Sequence, residues 1–122
     1  GHRLSAALQE EIVTETMAIL EHPAYAPLFG ANAMAEVPLT GYVNGRLVSA
    51  QIDRLLVTDT EIMIVDYKTN RPPPRTEQDI PALYRAQMTA YRDIVASIWP
   101  KRTARCFLLW TDGPDLMELK IS

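Results

Sequence analysis

The stretch from Gln51 to Lys68 constrains this fold more than any other. Leu55-Leu56-Val57 and Ile62-Met63-Ile64-Val65 are short apolar runs separated by Thr58-Asp59-Thr60-Glu61, the pattern of two strands joined by a tight turn. With Asp59 and Thr60 as the turn residues, Thr58 faces Glu61, and antiparallel partners then keep a constant sum of residue numbers. That register sets Leu55 against Ile64 and Val57 against Ile62, apolar against apolar on one face. It also sets Asp53 opposite Asp66.

The rest of the chain builds around this hairpin. Met34 to Val43 reads as a strand, and Asn44-Gly45 is a strong turn dipeptide that returns the chain along Arg46 to Val57. Glu61 to Tyr67 is the third strand. Ahead of them, Ser5 to Glu21 reads as an amphipathic helix. Leu8, Ile12, Val13, Met17, Ile19 and Leu20 recur near helical spacing, with Gln9, Glu10, Glu11 and Glu15 mainly elsewhere. His22-Pro23 stops it, and a short helix or turn from Ala24 to Phe29 ends at Gly30. From Asp79 to Ile98 the period is again helical. Ile80, Leu83, Tyr84, Met88, Tyr91, Ile94, Val95 and Ile98 form one broad stripe, with Asp79 as N-cap and Pro81 in the first turn. Ala104 to Thr111 is a buried strand, Asp112-Gly113-Pro114 turns the chain, and Leu116 to Ile121 closes as a last strand. The predicted class is α/β, with a single central mixed sheet flanked by helices.

Composition narrows the function classes. A chain of 122 residues is one domain by length. Its net charge of −3 argues against a free-standing nucleic-acid binder with a basic face, so any nucleic acid is expected to be delivered by something else. No apolar run approaches the roughly 20 residues that span a bilayer, and no secretory signal pattern opens the chain. The single Cys106 cannot form an internal disulfide and reads as a buried small apolar residue, which suits a reducing cytoplasm. Gly1-His2 reads as a tag remnant joined to a fragment of a longer protein, so His2 is set aside. His22 reads as an exposed residue favourable near a helix C-terminus, with a metal role as the alternative.

The chemistry gathers at one end of the hairpin. Like charges directly opposite are destabilising, so Asp53 and Asp66 need a compensating partner, for which a divalent cation is suited. Lys68 lies two residues beyond Asp66 and shares its face. Tyr67 points away, but its backbone carbonyl could reach a metal beside Asp66. Two carboxylates offer hard oxygen ligands suited to Mg²⁺ or Mn²⁺. Such an ion acidifies a bound water and neutralises charge developing at a phosphorus centre, and the lysine can stabilise that charge or help place the attacking water. The bland alternative is a surface salt bridge of Asp53 with Arg54 or Lys68. Glu36 is a further ligand candidate whose direction nothing in the sequence settles.

On the following helix, Gln87 and Tyr91 lie four residues apart and share a face. Gln87 interrupts an apolar stripe, and a buried amide needs partners such as a carboxylate, a backbone group or a substrate phosphate. Tyr84 and Tyr91, taken singly, read as packing residues with an edge hydroxyl. Arg71, Arg75, Arg85 and Arg92 could line a path for a phosphate backbone, or be solvated surface arginines.

Gln51-Ile52-Asp53-Arg54-Leu55, then Ile64-Val65-Asp66-Tyr67-Lys68-Thr69, then Gln87 with Tyr91 together resemble the nuclease domain of RecB-like proteins in the PD-(D/E)XK superfamily. The Asp-Tyr-Lys-Thr box, the Gln-x-x-x-Tyr element and the Leu-Trp-Thr-Asp-Gly segment bring it closest to AddA-type helicase–nuclease subunits, at their C-terminal nuclease domain. The resemblance covers nearly the whole chain and implies a restriction-endonuclease-like core. It implies that Asp53 and Asp66 bind metal, that Lys68 is the catalytic lysine, and that Gln87 and Tyr91 complete the site. It further implies magnesium-dependent cutting of single-stranded DNA unwound by a helicase portion of the same chain, alongside a second nuclease subunit. The setting would be recombination repair of double-strand breaks in the bacterial cytoplasm.

One departure stands out. The family carries a metal-associated histidine on a helix well upstream, which this sequence does not include, so the isolated fragment is expected to bind metal weakly or be inactive. Two alternatives stay open: a catalytically inactive DNA-binding or scaffolding module on the same fold, and a restriction-type endonuclease acting on duplex DNA.

Overall fold

A computed structural model describes residues 4–19, 23–112 and 115–121. Helix α1 runs Ala6–Ile19, followed by a 3-10 helix over Pro23–Phe29. Strands β1 (Met34–Val43), β2 (Arg46–Val57) and β3 (Glu61–Lys68) come next, then helix α2 (Ala82–Ile98), β4 (Thr103–Trp110) and β5 (Asp115–Leu119). The five strands form one sheet in chain order. All neighbours are antiparallel except β3 and β4, which are parallel. A parallel pair needs a crossover connection, and α2 supplies it. The sheet is therefore mixed and lies between helical elements, as expected. His2, His22 and the Gly113-Pro114 part of the last turn lie outside the described residues.

Both hairpins follow local chemistry. Asn44 and Gly45 have φ of 52° and 77°, and positive φ at both central residues is the I′ turn that matches strand twist. Val43 pairs with Arg46 across it. At the second hairpin the Thr58 amide donates to the Glu61 carbonyl at 2.9 Å, and Leu55 pairs with Ile64 and Val57 with Ile62.

The sheet carries a core on each face. On the α2 side Ile52, Leu55, Ile62, Ile64, Leu108 and Trp110 pack with Met88 and Val95. On the other side Leu56, Met63, Val65, Phe107 and Leu109 pack with Ile12, Leu28 and Phe29. Period-two alternation along β3 divides its apolar residues between these cores. Gly41 lets α2 approach the edge strand: a Cβ there would lie 2.3 Å from Ser97 Oγ and 3.2 Å from the Ile94 carbonyl oxygen.

Three helix expectations are corrected. In α1 the buried positions are Gln9, Ile12 and Thr16, whereas Leu8 and Met17 are 41% and 44% exposed. The buried polar groups are satisfied: Gln9 Nε2 donates to the Leu4 carbonyl and to Glu36, and Thr16 Oγ1 donates to the Ile12 carbonyl. A hydrogen-bonded polar residue can sit inward where an unpaired one could not. Asp79 is not the N-cap of α2. It ends a 3-10 turn over Glu77–Asp79, and α2 begins only after Pro81. Ile80 precedes that proline and is extended, because the proline ring disfavours helical backbone in the residue before it. Finally, Leu83 and Ile98 do not join the buried stripe; Leu83 is 76% exposed.

Candidate active site

The regular β2–β3 ladder stops at Arg54 and Val65, one pair short of the two aspartates. There a side chain takes over from the backbone: Asp53 Oδ2 accepts a hydrogen bond from the Tyr67 amide at 2.8 Å. Asp53 thus sits across the carboxyl end of β3 and in hydrogen-bonding contact with Asp66. Asp66 is buried, and its Oδ2 lies 2.7 Å from Lys68 Nζ.

Helix α2 adds the next layer. Lys68 Nζ donates to Gln87 Oε1 at 2.7 Å, and Gln87 Nε2 lies 2.8 Å from the Tyr91 hydroxyl. The polar break in the α2 stripe is therefore explained, since the Gln87 amide finds partners at both ends. Asp53, Asp66, Lys68, Gln87 and Tyr91 form one connected chain of polar contacts. The Tyr67 side chain joins the opposite core, while its amide faces Asp53. A strand residue's N–H and C=O point the same way within the sheet, so the Tyr67 carbonyl also lies on the Asp53 side.

The electrostatics follow from the crowding. Burial, and then the neighbouring Asp66 carboxylate, push the Asp53 carboxyl up to about 7. Two carboxylates held together in a desolvated place do not ionise together readily, and Lys68 contacts only one of them directly. Burial also raises the Tyr91 hydroxyl, with the Asp66 carboxylate adding to the effect.

Other candidates lie apart. Glu36, the further ligand candidate, has φ of 54°, and its carboxylate is engaged by Gln9 on α1 at 3.2 Å. Among the described residues, no group of three or more His, Cys, Asp or Glu is placed to hold a metal ion. Arg54 turns to the other face and donates to the Leu28 and Gly30 carbonyls. Arg85 is engaged by Glu77, and Arg92 by Asp93. Cys106 is buried, its thiol pushed up to about 12 by desolvation. Among the described residues no helix is long and apolar enough to cross a membrane.

Two neighbours of the site were not assigned to it from sequence. The Tyr84 ring lies under Lys68 Nζ, 4.1 Å from its centroid, and the Tyr84 hydroxyl donates to Asn70 Oδ1 at 2.8 Å. The signal that could have found Tyr84 is spacing, since it stands three residues before Gln87 and shares its face.

Comparison with known proteins agrees with this arrangement. Over a stretch of 77 residues, 60% of this chain, it is 34% identical to the larger chain of an ATP-dependent helicase/nuclease from Oceanobacillus iheyensis. That stretch spans only 6% of the relative's length. Among solved structures, a candidate exonuclease from Eubacterium rectale superposes with a TM-score of 0.55 at 16% identity, covering 98% of this chain and 47% of the other. The latter likeness is one of fold. The model of the PD-(D/E)XK nuclease superfamily matches residues 3–118, and the chain therefore belongs to that superfamily.

Proposed function

We propose that this chain is the nuclease domain of a helicase–nuclease polypeptide and hydrolyses phosphodiester bonds in DNA with Mg²⁺ or Mn²⁺. The observation that carries the reading is the convergence of Asp53, Asp66 and Lys68 at the carboxyl end of β3, continued through Gln87 to Tyr91. The donors fit a hard divalent cation: two carboxylates in contact, one of them raised to about 7 for want of a positive neighbour, and the Tyr67 carbonyl on the same side. Asp53, Asp66 and that carbonyl would hold the ion, which when bound supplies Lewis acidity at the phosphate and an acidified water.

The chain's own residues do the rest. Lys68, held by Asp66 and Gln87, presents a positive charge where the phosphate gains negative charge, and its fixed position avoids reorganisation during the reaction. Gln87 orients the ammonium, and Tyr91 orients Gln87. The similarity to a helicase/nuclease chain supports single strands delivered by a motor as substrate. It equally supports partnership with a second nuclease subunit, in double-strand-break repair in the bacterial cytoplasm.

The test is cleavage of labelled single-stranded and duplex DNA with Mg²⁺ or Mn²⁺, before and after chelation. Asp66→Ala and Lys68→Ala should each lower the rate by about 100-fold or more. Undiminished cutting by both variants would refute the assignment, and a preference for duplex at a fixed sequence would favour a restriction-type enzyme. A second reading, a DNA-binding or scaffolding module without catalysis, draws on the absence of a third metal-ligating side chain among the described residues. DNA binding by the full-length protein without metal-dependent cleavage would establish it.

A further inference from the structure

The four arginines that follow the site in sequence do not share one role. Arg85 is held by Glu77 and also donates to the Glu77 and Lys120 carbonyls. Arg92 is held by Asp93. Arg71 and Arg75 differ: both are exposed, and among the described residues no ion pair engages either. They stand at the two ends of Arg71-Pro72-Pro73-Pro74-Arg75, whose prolines fix φ and lower the entropy lost when the segment engages a ligand. This segment begins three residues beyond Lys68. In a chain of net charge −3, two unneutralised guanidinium groups beside a phosphodiester-cutting site are the exception.

The segment is also tied to the site. Asn70, immediately before Arg71, accepts the Tyr84 hydroxyl at 2.8 Å, and the Tyr84 ring lies against Lys68 Nζ. One side chain therefore touches the lysine with its face and the start of the arginine segment with its edge. A concavity of about 370 Å³ opens below the segment, lined by Asn70, Arg75 and Asp79 among others. The Asp79 carboxylate there, which accepts from Thr76 Oγ1, disfavours an anion inside. A phosphate backbone would therefore follow the arginine rim.

We propose that residues 70–75 are a backbone clamp for the DNA strand: Arg71 and Arg75 take phosphates flanking the scissile one, and the Tyr84–Asn70 hydrogen bond holds the clamp in register with Lys68. The proposal rests on the nuclease reading and deepens it. Arginine suits the task because its planar donors grip phosphate oxygens in pairs. Tyr84 and Asn70 are positioning residues.

The experiment measures binding of a fluorescent single-stranded oligonucleotide to the full-length protein across a salt series, with EDTA present so that nothing is cut. Each single-strand phosphate contact contributes about 0.7 to the slope of log K against log salt. Arg71→Gln/Arg75→Gln should make that slope shallower by roughly 1.4, whereas Arg85→Gln should leave it unchanged. Tyr84→Phe keeps the ring and Asn70→Ala keeps the arginines. Each should weaken binding, and the double variant should weaken it no further than either alone. The single-turnover cleavage rate at saturating DNA should stay within about twofold of the parent for the double arginine variant, since the clamp does not touch the reacting atoms. An unchanged salt slope in that variant, or an equal change in Arg85→Gln, overturns the clamp even if cleavage requires Asp66. The shallower slope without any Asp66-dependent cleavage leaves the clamp standing and refutes the nuclease reading.

Discussion

Replacing Asp53 by Asn probes the crowding at the end of β3. The Asp53 carboxyl lies about 7 in the folded chain against 3.8 for an ordinary aspartate, chiefly through burial and then through Asp66. A folded-state value raised above the unfolded one favours folding at low pH. Its contribution is complete below about 4 and is lost as pH rises through about 7. Each tenfold change in proton affinity is worth about 1.4 kcal/mol, so the whole interval corresponds to roughly 4 kcal/mol. Asp53 is only half-buried, and solvent screening reduces that to about 1–2 kcal/mol. Asparagine mimics the protonated acid: its oxygen can still accept from the Tyr67 amide, and its NH₂ can donate to Asp66. In metal-free buffer Asp53→Asn should therefore be more stable than the parent by about 1–2 kcal/mol at pH 8, with the gap closing towards pH 4. Urea unfolding followed by tryptophan fluorescence measures it, since Trp110 is fully buried. A variant destabilised equally at both pH values would show that the two carboxylates do not repel one another, and the electrostatic account of the site would fail.

Two further substitutions test the frame that holds the site. Gly41→Ala should cost about 1–3 kcal/mol through overpacking, because the new methyl meets Ser97 Oγ and the Ile94 carbonyl; adding Ser97→Ala should recover part of it. No loss of stability in urea denaturation would mean that α2 does not lie this close to β1. Leu55→Ala, which empties a fully buried position in the α2-side core, should cost about 2–5 kcal/mol. A loss below about 1 kcal/mol in the same assay would contradict that packing.

Much of the strand framework could be read from residue order because it is local. Asn44-Gly45 and Asp59-Thr60 set their hairpins within a few residues, and a slip of one would turn Leu55 and Ile64 off their face. The side-chain directions of α1 were less legible. Periodicity placed Leu8 and Met17 inward, but Gln9 and Thr16 are the buried residues, because Glu36 on β1 and the α1 backbone satisfy them. The start of α2 was misplaced by a competing local rule: the acidic Asp79 suggested a cap, while Pro81 forced Ile80 to stay extended.

The amino-acid sequence alone determined that Asp53 lies across a hairpin from Asp66 and that Lys68 follows on the same face, since turn length and period two decide both. Only the tertiary structure decided what surrounds them. The ladder ends early, so that Asp53 accepts the Tyr67 amide. The α2 crossover brings Gln87 and Tyr84 onto Lys68 and ties Asn70 to the same tyrosine. These contacts join segments whose spacing carries no periodic signal, and they exist because a parallel β3–β4 pair requires a helix to cross the sheet between them.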